Sequence, residues 1–318
     1  MPDKILVTGA SGFVGAALCA HLDALNMSYV GSARQASGLP SRVLVGALTA
    51  QTDWSVALSG CDVVVHLAAR VHVMDDQSSD PLSAFRAVNV DATLNLARQA
   101  VRSGVRRFIY VSSIKVNGEA THGTPFTSQD QPAPLDPYGF SKLEAERGLQ
   151  VLAQETGLEL VIVRPPLVYG PGVRANFQRL MQLLRKGIPL PLGAVHNRRS
   201  MVGLDNLVDL LTVCCSHPRA SGEVFLVSDD HDLSITELLR SLSFAMGKTR
   251  PLLFSMPAGV LTGVAGVLGK SAAASRLLGS LQVDIAHTRT TLDWVPPASV
   301  DDSIHKTVAH FLSLADRL

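Results

Sequence analysis

Short β-branched runs, separated by longer stretches with helical apolar spacing, set the pattern of the chain's first half. Strands are predicted at Ile5–Thr8, Ser28–Ser32, Arg42–Val45, Val63–Leu67, Phe108–Ser112 and Leu160–Val163. Helices are predicted between most of them, for example over Ala84–Val101 and Ser141–Thr156. Strands that alternate with helices argue for a parallel sheet covered on both faces. The run Val63-Val64-Val65-His66-Leu67 suits a strand buried on both sides, with His66 a core or strand-end residue. From Pro165 the pattern loosens, punctuated by Pro166, Pro171, Pro189, Pro191 and Pro218, and helical segments dominate from Leu233. The expected architecture is α/β: a doubly wound parallel sheet over residues 1–165 and a smaller α/β lobe over 166–318. One strand near Glu223–Val227 is expected to return to the sheet.

Composition narrows the function classes. In 318 residues, 47% are hydrophobic, which is too apolar for disorder. Lys+Arg 28 against Asp+Glu 27 leaves a charge of +1 and no general basic surface for nucleic acid. Cys19, Cys61, Cys214 and Cys215 form no CxxC and no metal-ligand spacing; they read as reduced thiols of a cytoplasmic protein. Gly9 interrupts the first apolar run too early for a secretory signal core. The longest apolar stretch, Phe254–Gly269, is shorter than the roughly 18–20 residues of a membrane span, so no stable membrane insertion is expected. A buried or interface helix and a shallow membrane contact both remain open for it.

Candidate chemistry begins directly after the first strand. Thr8-Gly9-Ala10-Ser11-Gly12-Phe13-Val14-Gly15 is G-x-x-G-x-x-G opening a helix at about Gly12. Glycines there allow a sharp turn and let a pyrophosphate approach the helix N-terminus, where free N–H groups favour negative charge. Dinucleotide binding is the expectation. The second strand ends in Ala33-Arg34, with no acid to accept from ribose hydroxyls. An Arg can pair with a 2′-phosphate, which favours NADP(H) while leaving NAD(H) open.

Tyr138 and Lys142 are i,i+4 and share one helix face, behind the turn former Asp136-Pro137. A free Tyr is a poor base at neutral pH, but a neighbouring ammonium and an oxidised nicotinamide both stabilise its phenolate. Ser113, at the end of a predicted strand, is placed to hydrogen-bond the reacting oxygen.

These motifs, with His66-Leu67-Ala68-Ala69 and Arg164-Pro165-Pro166-Leu167-Val168-Tyr169-Gly170-Pro171-Gly172, resemble the extended short-chain dehydrogenase/reductases. The resemblance is to their nucleotide-sugar epimerase/dehydratase group. It implies a Rossmann-type domain holding NAD(P), a C-terminal lobe holding a UDP-sugar, and the catalytic triad Ser113, Tyr138 and Lys142. Along the cofactor it places Gly9, Ser11, Gly12, Phe13, Val14, Gly15, Arg34, Leu48, Ala68, Ala69, Asn89, Pro165 and Val168, beside Tyr138 and Lys142. Along the substrate it places Ser113, Lys115, Tyr138, Asn176, Phe177, Leu190, Leu192, Arg199 and Asp284, with Arg174 as a further diphosphate contact. Asn89 has a second reading as a structural amide, and Lys115 as a solvated loop residue. The resemblance also implies a homodimer through a four-helix interface of Ala84–Val101 and Ser141–Thr156.

Departures from the family pattern sharpen the expectation. Ile114 and Lys115 stand where dehydratases carry an Asp-Glu pair, so removal of water from the sugar is not expected. Ala47 stands where an Asp usually contacts adenine, and Pro166-Leu167 replaces the aromatic and Asn that contact substrate in glucose epimerases. Loose cofactor anchoring suits an enzyme that exchanges cofactor at every turnover. The variant Ser113-Ile114-Lys115-Val116-Asn117-Gly118, with Arg164-Pro165-Pro166-Leu167-Val168-Tyr169-Gly170, resembles bacterial reductases of this family, which implies reduction of the C4 keto group of a UDP-4-keto-6-deoxy-N-acetylhexosamine for O-antigen synthesis. UDP-hexose 4-epimerase is the alternative, and a non-catalytic NADP-sensing protein a weaker one.

Overall fold

A computed structural model describes residues 4–34, 42–71, 80–248, 251–267, Ser275 and 277–315. Elements run β1 (Ile5–Thr8), α1 (Phe13–Ala24), β2 (Tyr29–Ala33), β3 (Arg42–Leu44), α2 (Ser55–Leu58), β4 (Val63–His66) and α3 (Pro81–Arg86). After a π-helical turn (Ala87–Asp91) come α4 (Ala92–Arg102), β5 (Arg107–Val111), a 3-10 turn (Ile114–Val116), α5 (Pro137–Thr156) and β6 (Glu159–Arg164). The rest is β7 (Leu167–Tyr169), α6 (Ala175–Arg185), β8 (Met201–Gly203), α7 (Leu204–Ser216), β9 (Val224–Leu226), α8 (Ile235–Ala245), α9 (Ala258–Val267), α10 (Ala286–Leu292) and α11 (Val300–Ala315).

Seven parallel strands form one sheet in the order β3-β2-β1-β4-β5-β6-β9, and β7 pairs with β8 in a separate two-stranded sheet. The order reverses between β1 and β4, and ligands of such sheets bind at the strands' carboxyl ends beside that switch. Strand residues alternate between two cores although each run is continuously apolar. Ile5, Val7, Val63, Val65, Ile109 and Val161 pack with Leu18, Leu22, Leu207 and Leu211 of α1 and α7. Leu6, Val64, Phe108, Tyr110 and Leu160 face Leu96, Ala100, Ala145 and Leu149 of α4 and α5. A third core, with Tyr169, Phe177, Met181, Leu239 and Ile304, fills the lobe.

The helix expected over Ala84–Val101 is interrupted by the π-helical turn. The extra residue turns Asn89 inward, where its amide accepts from Arg70 N (2.8 Å) and donates to Arg70 O (3.0 Å). Those bonds offset the disturbed helical ladder, and such turns recur at functional sites. Within the Phe254–Gly269 run, α9 leaves Val260 exposed; residues 268 and 269 lie outside the described ones. No described helix is long and apolar enough to cross a membrane.

Candidate active site

The glycine loop is a cradle defined by what it excludes. Gly9 has φ +68, and a Cβ there would come 3.0 Å from Ala68 N. A Cβ on Gly15 would lie 2.1 Å from Gly9 O, so the loop backbone rests directly on the first turn of α1. Gly12 N donates to Gly9 O (2.8 Å), closing the turn. No side chain caps α1, whereas Asp136 caps α5 and Ser234 caps α8. Exposed Ser11 and Gly12 and half-buried Phe13 and Val14 thus border a helix start left open for an anion. This cradle fits the pyrophosphate of a dinucleotide.

Thr8 fixes the floor. Its hydroxyl oxygen accepts from Leu67 N and Ala68 N, both at 3.1 Å, so its proton goes to His66 Nδ1 (2.8 Å). His66 Nε2 then donates to Thr93 Oγ1 at 2.9 Å. Burial, then the Lys142 charge, pushes the His66 pKa down to about 3, so it stays neutral and serves as a strut between β1, β4 and α4. Half-buried Ala68 and Ala69 line the loop above it.

The Ser, Tyr and Lys come together at the end of β5 and the start of α5. Asp136 Oδ1 accepts from Gly139 N (2.7 Å) and starts α5. One turn in, Ser141 Oγ donates to Tyr138 O (2.8 Å) and accepts from Asn89 Nδ2 (3.0 Å), joining α5 to the π-helical turn. The Ser113 hydroxyl lies on the side of the Tyr138 hydroxyl and favours its ionised form. Lys142 is 2% exposed; its Nζ donates to Val111 O (2.9 Å) and sits 4.6 Å over the Tyr110 ring and 5.9 Å from the Tyr138 ring centre. Burial lowers the Lys142 pKa to about 7, opposed by the Glu146 carboxylate one turn along. The Tyr138 hydroxyl is held well above its ordinary value by burial and then by Asp136, while Ser113 pulls it back. A phenolate here requires added positive charge, which an oxidised nicotinamide brings.

Other sites spread more widely. Arg34 is exposed beyond β2, Leu48 half-buried, Pro165 buried and Val168 half-buried on β7. Asn176 is exposed on the first turn of α6, next to exposed Arg174. Phe177 is 3% exposed and stacked at 5.5 Å on Tyr169, and Leu190 and Leu192 lie in the same lobe core. These three side chains therefore serve packing. Arg199 Nη1 donates to Gly279 O (3.0 Å), and burial lowers its pKa. Asp284 is exposed, its Oδ1 accepting from Ala286 N (2.7 Å).

Sequence reasoning missed Glu146, Arg164 and Asn117. Glu146, 1% exposed, takes both arms of Arg164 at 2.5 and 3.0 Å, and Arg164 Nη1 donates to Asn117 Oδ1 at 3.0 Å. A carboxylate one turn past Lys142 on the same face was the available signal.

The chain is 48% identical over 322 residues to a Vibrio cholerae protein named UDP-glucose 4-epimerase, covering 100% of this chain and 98% of the relative. It superposes on the UDP-glucuronic acid 4-epimerase of Bacillus cereus in complex with NAD with a TM-score of 0.78 at 23% identity, over 98% and 99% of the two chains. On the UDP-glucose 4-epimerase of Thermotoga maritima with UDP-glucose the values are 0.77 and 22%, over 98% and 99%. The full-length likeness to an epimerase overturns the expected keto-reductase. That expectation rested on a few side-chain differences, Ala47 and Pro166-Leu167 among them, and on a motif resemblance, which the likeness of the whole chain outweighs. Residues 5–228 match the NAD dependent epimerase/dehydratase family. Of the two cofactors left open at Arg34, NAD is the family's, and the chain belongs to this family as an NAD-dependent enzyme of the short-chain dehydrogenase/reductase type.

Proposed function

We propose that this chain is a UDP-hexose 4-epimerase acting on UDP-glucose and UDP-galactose. The full-length 48% likeness to the Vibrio cholerae UDP-glucose 4-epimerase carries the reading, and the site chemistry agrees with it. NAD, when bound, supplies reversible hydride exchange at the sugar C4. Tyr138 Oη would take the C4 hydroxyl proton as the carbonyl forms and return it to the same oxygen once C4 is reduced from its opposite face. Ser113 hydrogen-bonds that oxygen in both directions, and the Lys142 ammonium stabilises the Tyr138 phenolate between proton transfers. Ile114, 4% exposed, and Lys115, ion-paired to Asp136 and Glu119, give no acid beside Ser113 for removing water.

Asn176, Arg174, Arg199 and Asp284 are the proposed contacts of the UDP moiety, and Leu48, Pro165 and Val168 those of NAD, beside the glycine loop. Arg34, expected there, has no 2′-phosphate to meet in NAD. Asn89, also expected there, is structural, both its amide hydrogens being taken by Arg70 O and Ser141 Oγ. We infer a homodimer through α4 and α5, which pack together and leave Phe140 and Val151 of α5 exposed. The test of activity is proton NMR of the purified protein with UDP-glucose and catalytic NAD. Growth of the UDP-galactose anomeric signal to a constant ratio supports the reading; unchanged UDP-glucose refutes it.

A further inference from the structure

Lys115 occupies the position where dehydratases of this family carry an acid, yet it is engaged on both sides. Its Nζ is paired with Asp136, the residue that caps the catalytic helix, and with Glu119 Oε1 at 3.1 Å. Its own N–H donates to Ser113 Oγ (3.3 Å). Its carbonyl oxygen is so close to α5 that a Cβ on Gly139 would lie 3.0 Å away. Val116 O, next in the turn, accepts from Ala133 N (2.9 Å).

We propose that Lys115 is a positioning residue whose ammonium, clamped by Asp136 and Glu119, locks the Ser113 turn onto the start of the Tyr138 helix. Two consequences follow from the same clamp. Ser113 precedes Lys115 by two residues and Tyr138 follows Asp136 by two, so the ion pair fixes the relative placement of the two hydroxyls that share one substrate oxygen. The pair also governs charge beside the tyrosine. Burial and then the Asp136 carboxylate disfavour the Tyr138 phenolate, and the Lys115 ammonium, 6.0 Å from the ring centre, carries the charge that would oppose them.

Among the described residues, the charged and titratable groups facing Tyr138 are few. Asp136 and Lys142 lie on its own helix and its cap, Lys115 on the serine turn and Tyr110 on β5, while α3 presents the edge of Phe85. Lys115 is the member of this set that touches both catalytic segments through one side chain and its own backbone.

The inference rests on Tyr138 acting as proposed above, and its test separates the two. In NAD-saturated protein, phenolate absorbance is titrated against pH, and the same titration of Tyr138→Phe is subtracted. Lys115→Met is expected to move the Tyr138 transition up by about half a pH unit or more, as loss of a cation at this distance implies. Asp136→Asn keeps an oxygen to cap Gly139 but removes the charge, and is expected to move it down. The double variant is expected to return toward the parent. With UDP-glucose, Lys115→Met is expected to lower kcat about tenfold with KM within about twofold, and Lys115→Arg to restore most of kcat. Should Lys115→Met fail to fold, Asp136→Asn carries the charge test with the opposite sign. An unmoved titration in the charge variants, or a raised KM at unchanged kcat, overturns the proposal. Absence of epimerisation in the parent protein refutes the activity, while the titration still decides the role of Lys115.

Discussion

Around the carboxyl ends of β1, β4, β5 and β6, buried polar side chains close on one another. Thr8, His66 and Thr93 form one chain of bonds, Glu146, Arg164 and Asn117 a second, and Asn89, Ser141 and the Tyr138 carbonyl a third. In the lobe, Phe177, Leu190 and Leu192 instead sit in an apolar core under Tyr169. Polar groups in the lobe mostly tie backbone, as Asn197 and Thr236 do, and at its junction with the sheet Asp229 accepts from Gly203 N, Asn206 and Tyr169. The sheet half holds Tyr138 and Lys142 by networks in which each polar atom specifies its neighbour. The lobe core is shaped by packing, with exposed Asn176 and half-buried Arg199, the proposed UDP contacts, outside it. Damage should therefore differ in kind between the halves: altered chemistry or buried charge in one, lost packing in the other.

The largest expected effects compare the two directly. Arg164→Met leaves the Glu146 carboxylate buried without its partner and should cost about 3–5 kcal/mol of folding stability. Phe177→Ala opens a cavity in the lobe core and should cost a similar 3–5 kcal/mol. Urea melts give both values, and kinetics separate them. Arg164→Met should also disturb kcat, because Glu146 supports the charge of Lys142, whereas Phe177→Ala should leave kcat near normal wherever the protein stays folded. A Phe177→Ala protein of full stability and raised KM would place that side chain on the nucleotide and erase the contrast.

Next in size, Tyr138→Phe should lower turnover by at least about 10²-fold with NAD affinity unchanged, the loss expected for a proton-transfer group. Dye-free fluorescence titration of NAD and an NMR rate measurement check the two halves of that statement.

A pH experiment sharpens the same point. The unfolded chain holds the Lys142 proton up to about 10.5, but the fold releases it at about 7, so between those values the unfolded state binds more protons. Stability attributable to this residue therefore rises with pH across that window. Lys142→Met should be more stable than the parent below pH 7, with the gap closing toward pH 10.5, while its activity is lost. A gap that does not vary with pH would mean the ammonium is well solvated.

The smallest effect is expected at Arg34→Ala. Its guanidinium is exposed, and NAD has no 2′-phosphate for it to meet, so NAD affinity should change by about twofold or less while any binding of NADP falls further. Isothermal titration with both cofactors measures the pair.

Much of the sheet half was legible because its signals are local. Val63 to Leu67 reads as a doubly buried strand from composition alone, the spacing of Gly9, Gly12 and Gly15 marks a strand–helix turn, and Tyr138 and Lys142 share a face by helix geometry. The break in the Ala84–Val101 helix was not legible, since Asn89 turns inward only where the backbone of Arg70 is present to bind it. Glu146 and Arg164 are separated by 18 residues and meet only once β6 lies beside α5. Lys115 carried no signal of its clamp for the same reason, since Asp136 is 21 residues away. The choice between reductase and epimerase was misread because differences at single positions such as Ala47 and Pro166-Leu167 were given more weight than the pattern of the whole chain.

The most direct test of the account uses UDP-glucose deuterated at C4, with protein carrying NAD and excess unlabelled NADH in solution. An enzyme that oxidises and re-reduces the same carbon within one encounter should yield UDP-galactose with the deuterium still at C4 and the solution NADH undiminished. Failure to form UDP-galactose, or its formation with the label exchanged into the free cofactor, would contradict the account.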